Sequence, residues 1–364
     1  MTNQAITMYA QPLDGIASLI KANGNKRTII VQGDMGCGKS SILKMLSDML
    51  PDHAPCYFDC TTKDLGDIMI PKMSELDGQD YVRFAVNEEL GVHLGKPVII
   101  MLDEFGKSNP AVKNALLRLI QEREVGGYKL HPDSIVFATT NKGSEGVGDL
   151  LPPHARNRVA VVPTRKPTNM EWIEWGINNG VDHSLLGWVK DNPQLFASFE
   201  DVKDPDENPY IFHPKAQRTS FVTPRSLEAA SDWLHCRAEF SDDALTAVLM
   251  GTIGERAAMD LMAFVKLADQ LPTLEAIKTD PKNAKIPDSA AAVCMVVYRT
   301  LASLDKDWVA QWMDYMVRLD KEAQGMFANG VRSPKYSKQS MVMTNKKFTE
   351  WAMQNNYMFA GDKK

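Results

Sequence analysis

Residues 27–41, RTIIVQGDMGCGKSS, decide the fold of this chain. They open with a short β-branched run at 28–31, which is typical of a buried strand, and they close with the pattern G-x-x-x-x-G-K-S. After this pattern, apolar residues recur over 42–50 with the spacing of one helix face. A glycine-rich loop between a strand and a helix aims backbone N–H groups and the positive end of the helix dipole at one point. The segment therefore predicts a nucleotide site.

We expect the loop residues to bind the nucleotide, and these are Gly33, Asp34, Met35, Gly36, Cys37, Gly38, Lys39, Ser40 and Ser41. Lys39 can reach the β- and γ-phosphates of ATP, and the Ser40 hydroxyl can ligate Mg²⁺. Cys37 has two interpretations. It is either a small spacer residue or a thiol whose pKa is lowered by the helix N-terminus and whose oxidation could block ATP binding.

The length, charge and cysteine content of the chain are those of an ordinary water-soluble protein. With 364 residues the chain is long enough for two domains, and its net charge is 41 − 46 = −5. The absence of a strongly basic block makes nucleic acid an unlikely main partner without excluding it. Five scattered cysteines predict reduced thiols, and no stretch is apolar enough for a signal or a membrane span. We therefore expect a cytoplasmic protein with no membrane contact.

A second acidic motif follows the buried strand that is predicted at residues 98–102. There five apolar residues run directly into Asp103 and Glu104, and the carboxyl ends of parallel strands carry the ligand groups in sheets of this kind. Asp103 can hold the Mg²⁺ shell opposite Ser40, and Glu104 can polarise the water that attacks the γ-phosphate. A solvated acidic turn is the alternative for an isolated motif, but the phosphate loop upstream argues against it.

Another strand, 134–140, ends in Asn141. An Asn at this point could hold the attacking water or touch the γ-phosphate, although Asn is also an ordinary turn residue. Between the two strands the sequence predicts a helix over 109–121 and a small hairpin around the Gly-Gly pair of 124–130.

Two arginines, Arg156 and Arg158, precede a last predicted strand at 159–163. They are either solvated basic residues or the source of an arginine presented to a neighbouring subunit's phosphate.

The remaining elements are weaker predictions. We expect a strand at 56–60, no clear element in 61–80 and a helix over 81–90. From about 166 the pattern becomes helical, with helices near 226–240, 243–270, 288–304 and 306–327. An acidic, proline-marked linker covers 201–214. We therefore predict an α/β core at 1–165, a helical connector and linker at 166–220, and a helical lid with a C-terminal extension at 221–364.

Taken in order, these motifs resemble those of an AAA+ ATPase. The matching positions are 33–40 for Walker A, 100–104 for Walker B, 138–141 for sensor 1, 157–158 for the arginine finger and 223–225 for sensor 2. The run DEFGKSNPAVKNALLRLIQERE, followed by a hairpin and FATTN, is similar to the MoxR branch of that family. The resemblance covers roughly residues 10–235.

The resemblance implies a parallel five-stranded P-loop sheet between helices, followed by an all-α lid. It implies ATP and Mg²⁺ bound between the subunits of a homo-oligomeric ring, usually a hexamer. Asn141 would help position water, Arg158 would act on the adjacent subunit, and Arg225 would report the γ-phosphate to the lid. It also implies remodelling of protein clients, often with a partner that contains a von Willebrand factor A domain. MoxR proteins usually carry Asp-Arg-Phe where this chain has Asn-Arg-Val at 157–159, so Arg156 stays the alternative finger.

Two other functions remain open. A DNA-directed AAA+ protein, such as a clamp loader, helicase or helicase loader, shares the hairpin before sensor 1, but the acidic net charge counts against it. A scaffold that binds ATP only to assemble is the other, and the presence of Glu104 argues against it.

Overall fold

The computed structural model describes residues 9–142, 157–268 and 271–358. The chain divides after Lys166 into two compact units, and each is described by itself.

Strands and helices alternate through the described part of the first unit. Its strands are β1 (Thr28–Gly33), β2 (Ala54–Asp59), β3 (Met69–Leu76), β4 (Gln79–Val86), β5 (Val98–Asp103), β6 (Glu124–Val125), β7 (Tyr128–Lys129), β8 (Ile135–Asn141) and β9 (Val159–Pro163). Its helices are α1 (Leu13–Asn23), α2 (Ser41–Met49), α3 (Leu65–Ile68) and α4 (Pro110–Glu122).

Five strands form one sheet in the order β2-β5-β8-β1-β9, and every neighbouring pair is parallel. Each residue of β5 and of β8 is buried, as expected for central strands that are covered on both faces. The predicted parallel five-stranded P-loop sheet is confirmed. Its carboxyl edge carries the ends of β1, β5 and β8 side by side.

The two faces of the sheet are covered by different helices. Ile30, Ile100 and Val136 pack on one face with the apolar side of α4. Ile29 and Met101 pack on the other face with residues of α1 and α2. Side chains alternate between the faces because successive residues of a strand point in opposite directions. The result is a three-layered unit in which the sheet lies between helices.

The helix predicted over 81–90 is wrong. Residues 69–86 form an antiparallel hairpin in which Met73 is opposite Val82. Its turn is Asp77-Gly78, with φ of 51° and 75°, and Asp-Gly is the pair that two-residue hairpin turns favour. Much of the hairpin is exposed on both faces, so no clear alternation of apolar and polar residues marks it in the sequence.

The second, smaller hairpin follows the prediction. β6 pairs antiparallel with β7, and Gly126 and Gly127 form the turn with φ of 57° and 85°. A Cβ added to Gly126 would lie 2.8 Å from Val86 Cγ2. The turn therefore packs closely against the base of the β3–β4 hairpin.

Regular structure in the described part of the second unit is helical, as predicted. The helices are α5 (Asn169–Asn178), α6 (His183–Asp191), α7 (Pro224–His235), α8 (Asp242–Ile253), α9 (Glu255–Ala268), α10 (Leu274–Thr279), α11 (Ala290–Ser303), α12 (Val309–Met316), α13 (Lys321–Arg332), α14 (Gln339–Met343) and α15 (Lys346–Gln354). Two predicted helices, 243–270 and 306–327, are each two helices, and the first breaks at Gly254 with φ of 92°. None of the described helices is long and apolar enough to span a bilayer.

One hydrophobic core holds this unit together. It includes Leu185 of α6, Leu227 of α7, Val296 of α11 and Trp351 of α15. Residues on both sides of the predicted boundary at 220 thus belong to the same core. The three-part division predicted from the sequence stays a prediction.

Candidate active site

The phosphate loop lies between the end of β1 and the start of α2. Gly36 and Gly38 have φ of 67° and 96°, a backbone region that favours glycine because it has no Cβ. Lys39 is 6% exposed, and its Nζ donates to the carbonyl oxygens of Gly33 at 3.0 Å and Asp34 at 2.9 Å. The lysine is thus folded back over its own loop.

Asn141 lies beside this lysine. In the β1–β8 register it is the partner of Gly33, and its Oδ1 accepts a hydrogen bond from Lys39 Nζ at 2.8 Å. Its Nδ2 is buried and has no hydrogen-bond partner among the described residues. A buried donor without an acceptor costs about 1–3 kcal/mol, and a phosphate oxygen would satisfy it. This unpartnered donor next to Lys39 fits a phosphate group.

Asp103 ends β5 and accepts from three side chains. Tyr57 Oη donates to Asp103 Oδ2 at 2.9 Å, Ser40 Oγ approaches the same oxygen to 3.5 Å, and Thr139 Oγ1 donates to Oδ1. Mg²⁺ takes oxygen ligands and is usually bound through one or two carboxylates with waters and substrate phosphates. The two predicted metal-site residues, Ser40 and Asp103, are therefore adjacent and chemically suited to Mg²⁺.

Tyr57 and Thr139 were not predicted from the sequence. Tyr57 belongs to β2, the strand next to β5, and Thr139 precedes Asn141 by two residues on the same face of β8. Both residues reach Asp103 because β2 and β8 lie on either side of β5. The order of the strands in a sheet cannot be read from a single sequence. The alternation along 139–141 is a signal that could have revealed Thr139.

Glu104 has an uncommon backbone. Its φ and ψ are 50° and 33°, the left-handed region that costs a residue with a Cβ on the order of 1–3 kcal/mol. Its amide donates to Thr139 Oγ1 at 3.2 Å, and its carboxylate pairs with Lys107 Nζ at 3.0 Å. This backbone conformation turns the chain away from the strand direction directly after Asp103. The ion pair places the Glu104 carboxylate next to Lys107.

Arg158 lies at the opposite edge of the sheet. It directly precedes β9, which runs parallel to β1 with Thr28 opposite Val159 and Gln32 opposite Pro163. Five residues of strand span about 16 Å, so the start of β9 is that far from the level of the phosphate loop. Arg158 is exposed and donates to Gln121 Oε1 of α4. Arg156 lies outside the described residues.

Arg225 belongs to the second unit. It is the second residue of α7, whose N-terminus is closed by a capping box between Thr223 and Ser226, and it is exposed. The first unit by itself therefore brings together Lys39, Ser40, Asp103 and Asn141, and it does not bring Arg158 to them.

Cys37 is a buried spacer rather than a reactive thiol. It is 1% exposed, and burial raises its pKa although Lys39 opposes that shift. Met35 and Ser41 are half-buried, and Ser41 Oγ donates to the Gly38 carbonyl at 2.7 Å. The interpretation of Cys37 as a thiol of lowered pKa is therefore wrong.

Comparison with known families identifies this region. Residues 28–156 match the model of the AAA domain, dynein-related subfamily. The matched segment contains every first-unit candidate residue described above except Arg158. No curated protein matches the chain.

Solved structures with similar folds are distant. A RuvB mutant from Thermotoga maritima has 13% identity and a TM-score of 0.36, with coverage of 86% of this chain and 88% of that one. NtrX from Brucella abortus in complex with ADP has 14% identity and a TM-score of 0.37, with coverage of 97% of this chain and 66% of that one. At these scores neither bears on what this chain does.

Proposed function

We propose that this chain is an AAA+ ATPase that hydrolyses Mg-ATP as one subunit of a homo-oligomeric ring, and the match of residues 28–156 to the AAA domain supports the first part of this proposal. Neighbouring subunits share each active site, and turnover drives the remodelling of protein clients. The ring and the clients follow from the MoxR resemblance, and the geometry of the first unit supports the shared site.

Within one subunit the carboxyl edge of the sheet binds and orients ATP. The loop residues 33–41 cradle the phosphates, and Lys39 turns from its present acceptors to the β- and γ-phosphates. Asn141, the register partner of Gly33 at the start of the loop, donates from Nδ2 to the γ-phosphate or to the attacking water. Ser40 and Asp103 hold Mg²⁺, which would neutralise phosphate charge, and Tyr57 and Thr139 fix the Asp103 carboxylate.

Glu104 is the general base for the attacking water. A carboxylate near a water molecule can take its proton as the water oxygen bonds to the γ-phosphorus, while the bond from that phosphorus to the bridging oxygen breaks and ADP leaves. The ion pair with Lys107 orients this carboxylate and keeps it near the strand end. Arg225, on the helical unit, would report the γ-phosphate to that unit.

The placement of Arg158 is the observation that carries the proposal. It is exposed at the amino edge of the sheet, whereas the phosphate loop lies at the carboxyl edge. An arginine finger stabilises transition-state charge only when it reaches the phosphates. Arg158 can do so only on another subunit's nucleotide, which requires an ordered oligomer.

The proposed protein partner is inferred from exposed carboxylates and from the resemblance to the MoxR branch. The residues of 201–207, DVKDPDE, carry exposed carboxylates, and Arg218 holds the backbone of this segment through the Pro205 carbonyl. A von Willebrand factor A domain binds a carboxylate in the open position of its metal site, and such a domain is the partner we propose. A solvated loop is the plainer interpretation of the same residues. A net charge of −5 disfavours DNA as the substrate.

Light scattering tests the ring. Glu104→Gln with ATP should have several times the 40.6 kDa mass of the chain, because it binds ATP without consuming it. Lys39→Ala is the matched control and should not gain mass when ATP is added. A mass of one chain for Glu104→Gln at every concentration with ATP would contradict the proposal.

Capture from the native host tests the partner. Glu104→Gln bait with ATP should recover a protein that Lys39→Ala bait does not. Nuclease-sensitive capture of DNA at physiological salt would instead favour the DNA-directed ATPase.

A further inference from the structure

An acidic side chain lies inside the phosphate loop. Asp34 directly follows Gly33, its residue is 7% exposed, and its own carbonyl accepts from Lys39 Nζ at 2.9 Å. A carboxylate in an anion site opposes anion binding, because like charges a few ångströms apart repel strongly when water is excluded. Asp34 and Lys39 are the charged residues of 33–41, so their charges sum to zero.

Lys142 compensates this acid. Its Nζ lies 2.9 Å from Asp34 Oδ1, and the lysine side chain is 19% exposed. Lys142 directly follows Asn141, which accepts from Lys39 Nζ at 2.8 Å. Two crossed contacts thus join the phosphate loop to the end of β8, one from each lysine. With Lys142 included, the cradle has a net charge of +1.

We propose that Lys142 is a positioning residue that neutralises Asp34 inside the phosphate cradle and thereby permits tight nucleotide binding. It acts through Asp34 and not on the phosphates. The proposal rests on the proposed function, since the ligand is the phosphate chain of ATP. The proposal explains how Asp34 can stand in the phosphate loop, where an uncompensated carboxylate would weaken the binding of phosphate.

Removing either charge of the Asp34–Lys142 pair should change the Kd for Mg-ATP in opposite directions. Lys142→Met leaves Asp34 charged and uncompensated, and the Kd for Mg-ATP should rise by roughly tenfold to a hundredfold. Asp34→Asn removes the repulsion and leaves Lys142 in place, so its Kd should equal or fall below that of the wild type. Asp34→Asn with Lys142→Met should bind within about threefold of the wild type. Lys142→Arg keeps the charge and should bind like the wild type.

Equilibrium binding of a fluorescent ATP analogue with Mg²⁺ measures these values, and kcat is recorded beside KM. KM should rise in Lys142→Met with kcat changed by less than about threefold, because the charge acts on binding. Lys63→Met is the matched control, since Lys63 pairs with Glu89 at 2.8 Å and its side chain is 18% exposed. It should leave the Kd unchanged. Thermal unfolding of each variant shows whether it is folded.

Two results would overturn the proposal. If the double variant binds as weakly as Lys142→Met, Lys142 acts on the phosphates or on the fold and not through Asp34. If Asp34→Asn binds ATP as weakly as Lys142→Met, the pair is a structural link and not a compensated charge. Wild-type protein that binds no ATP would refute the proposed function itself, a separate outcome from either of these.

Discussion

The two edges of the five-stranded sheet hold their functional side chains in different ways. At the carboxyl edge Lys39, Asp103 and Asn141 are buried. Lys39 donates to Asn141, and Thr139 donates to Asp103. At the amino edge Arg158 is exposed and contacts Gln121 of its own subunit. Buried polar groups that are fixed by their neighbours are preorganised for a ligand. An exposed arginine is accessible to a second molecule, and this difference is the reason for proposing a site that another subunit completes.

The largest effect is expected from the amino edge. Arg158→Ala should bind ATP nearly as the wild type does, yet lose hydrolysis by a factor on the order of a thousand or more, as arginine fingers do. Steady-state turnover and nucleotide binding measured on the same preparation would check this. Turnover at the wild-type rate would transfer the role to Arg156.

A somewhat smaller effect is expected at the carboxyl edge. Glu104→Gln should retain ATP binding and lose turnover by roughly a hundredfold or more, because the amide cannot accept the proton of the attacking water. Lys39→Ala is the control for this comparison, because it should lose ATP binding itself and so separates lost binding from lost catalysis. Retained turnover in Glu104→Gln would show that the general base is another residue.

The smallest effect concerns the hydrogen bond between Arg158 and Gln121 of the same chain. Gln121→Ala removes the Oε1 acceptor and leaves the arginine free to reach a neighbour. Turnover should change by no more than about fivefold, because an exposed hydrogen bond of this kind contributes about 1 kcal/mol or less. A loss as large as that of Arg158→Ala would mean that the arginine works within its own subunit, on α4.

Much of the carboxyl edge was predictable from the sequence. Buried parallel strands are apolar along their whole length, and the residues at their ends stand out, so 98–104 and 134–141 located Asp103, Glu104 and Asn141. Sheet order then brings these ends together, and the structure confirms it. The roles assigned to those residues stay predictions.

Other features could not be predicted, for physical reasons. Most of the β3–β4 hairpin beyond its base is exposed, and Ile70 and Met73 are 60% and 64% exposed, so burial imposes no clear pattern on its residues. Only its Asp77-Gly78 turn is a local signal. The pairs Tyr57–Asp103 and Asp34–Lys142 join residues 46 and 108 positions apart in the chain, and no local rule connects such distant positions.

Mixing two inactive variants tests the shared site most directly. Lys39→Ala mixed with Arg158→Ala should recover ATPase activity, because some sites then combine an intact carboxyl edge with an intact arginine from the neighbour. Lys39→Ala mixed with Asn141→Ala is the matched control and should recover none, since every site lacks one residue of the same edge. If verified mixed oligomers of the first pair stay as inactive as the second, Arg158 does not act between subunits.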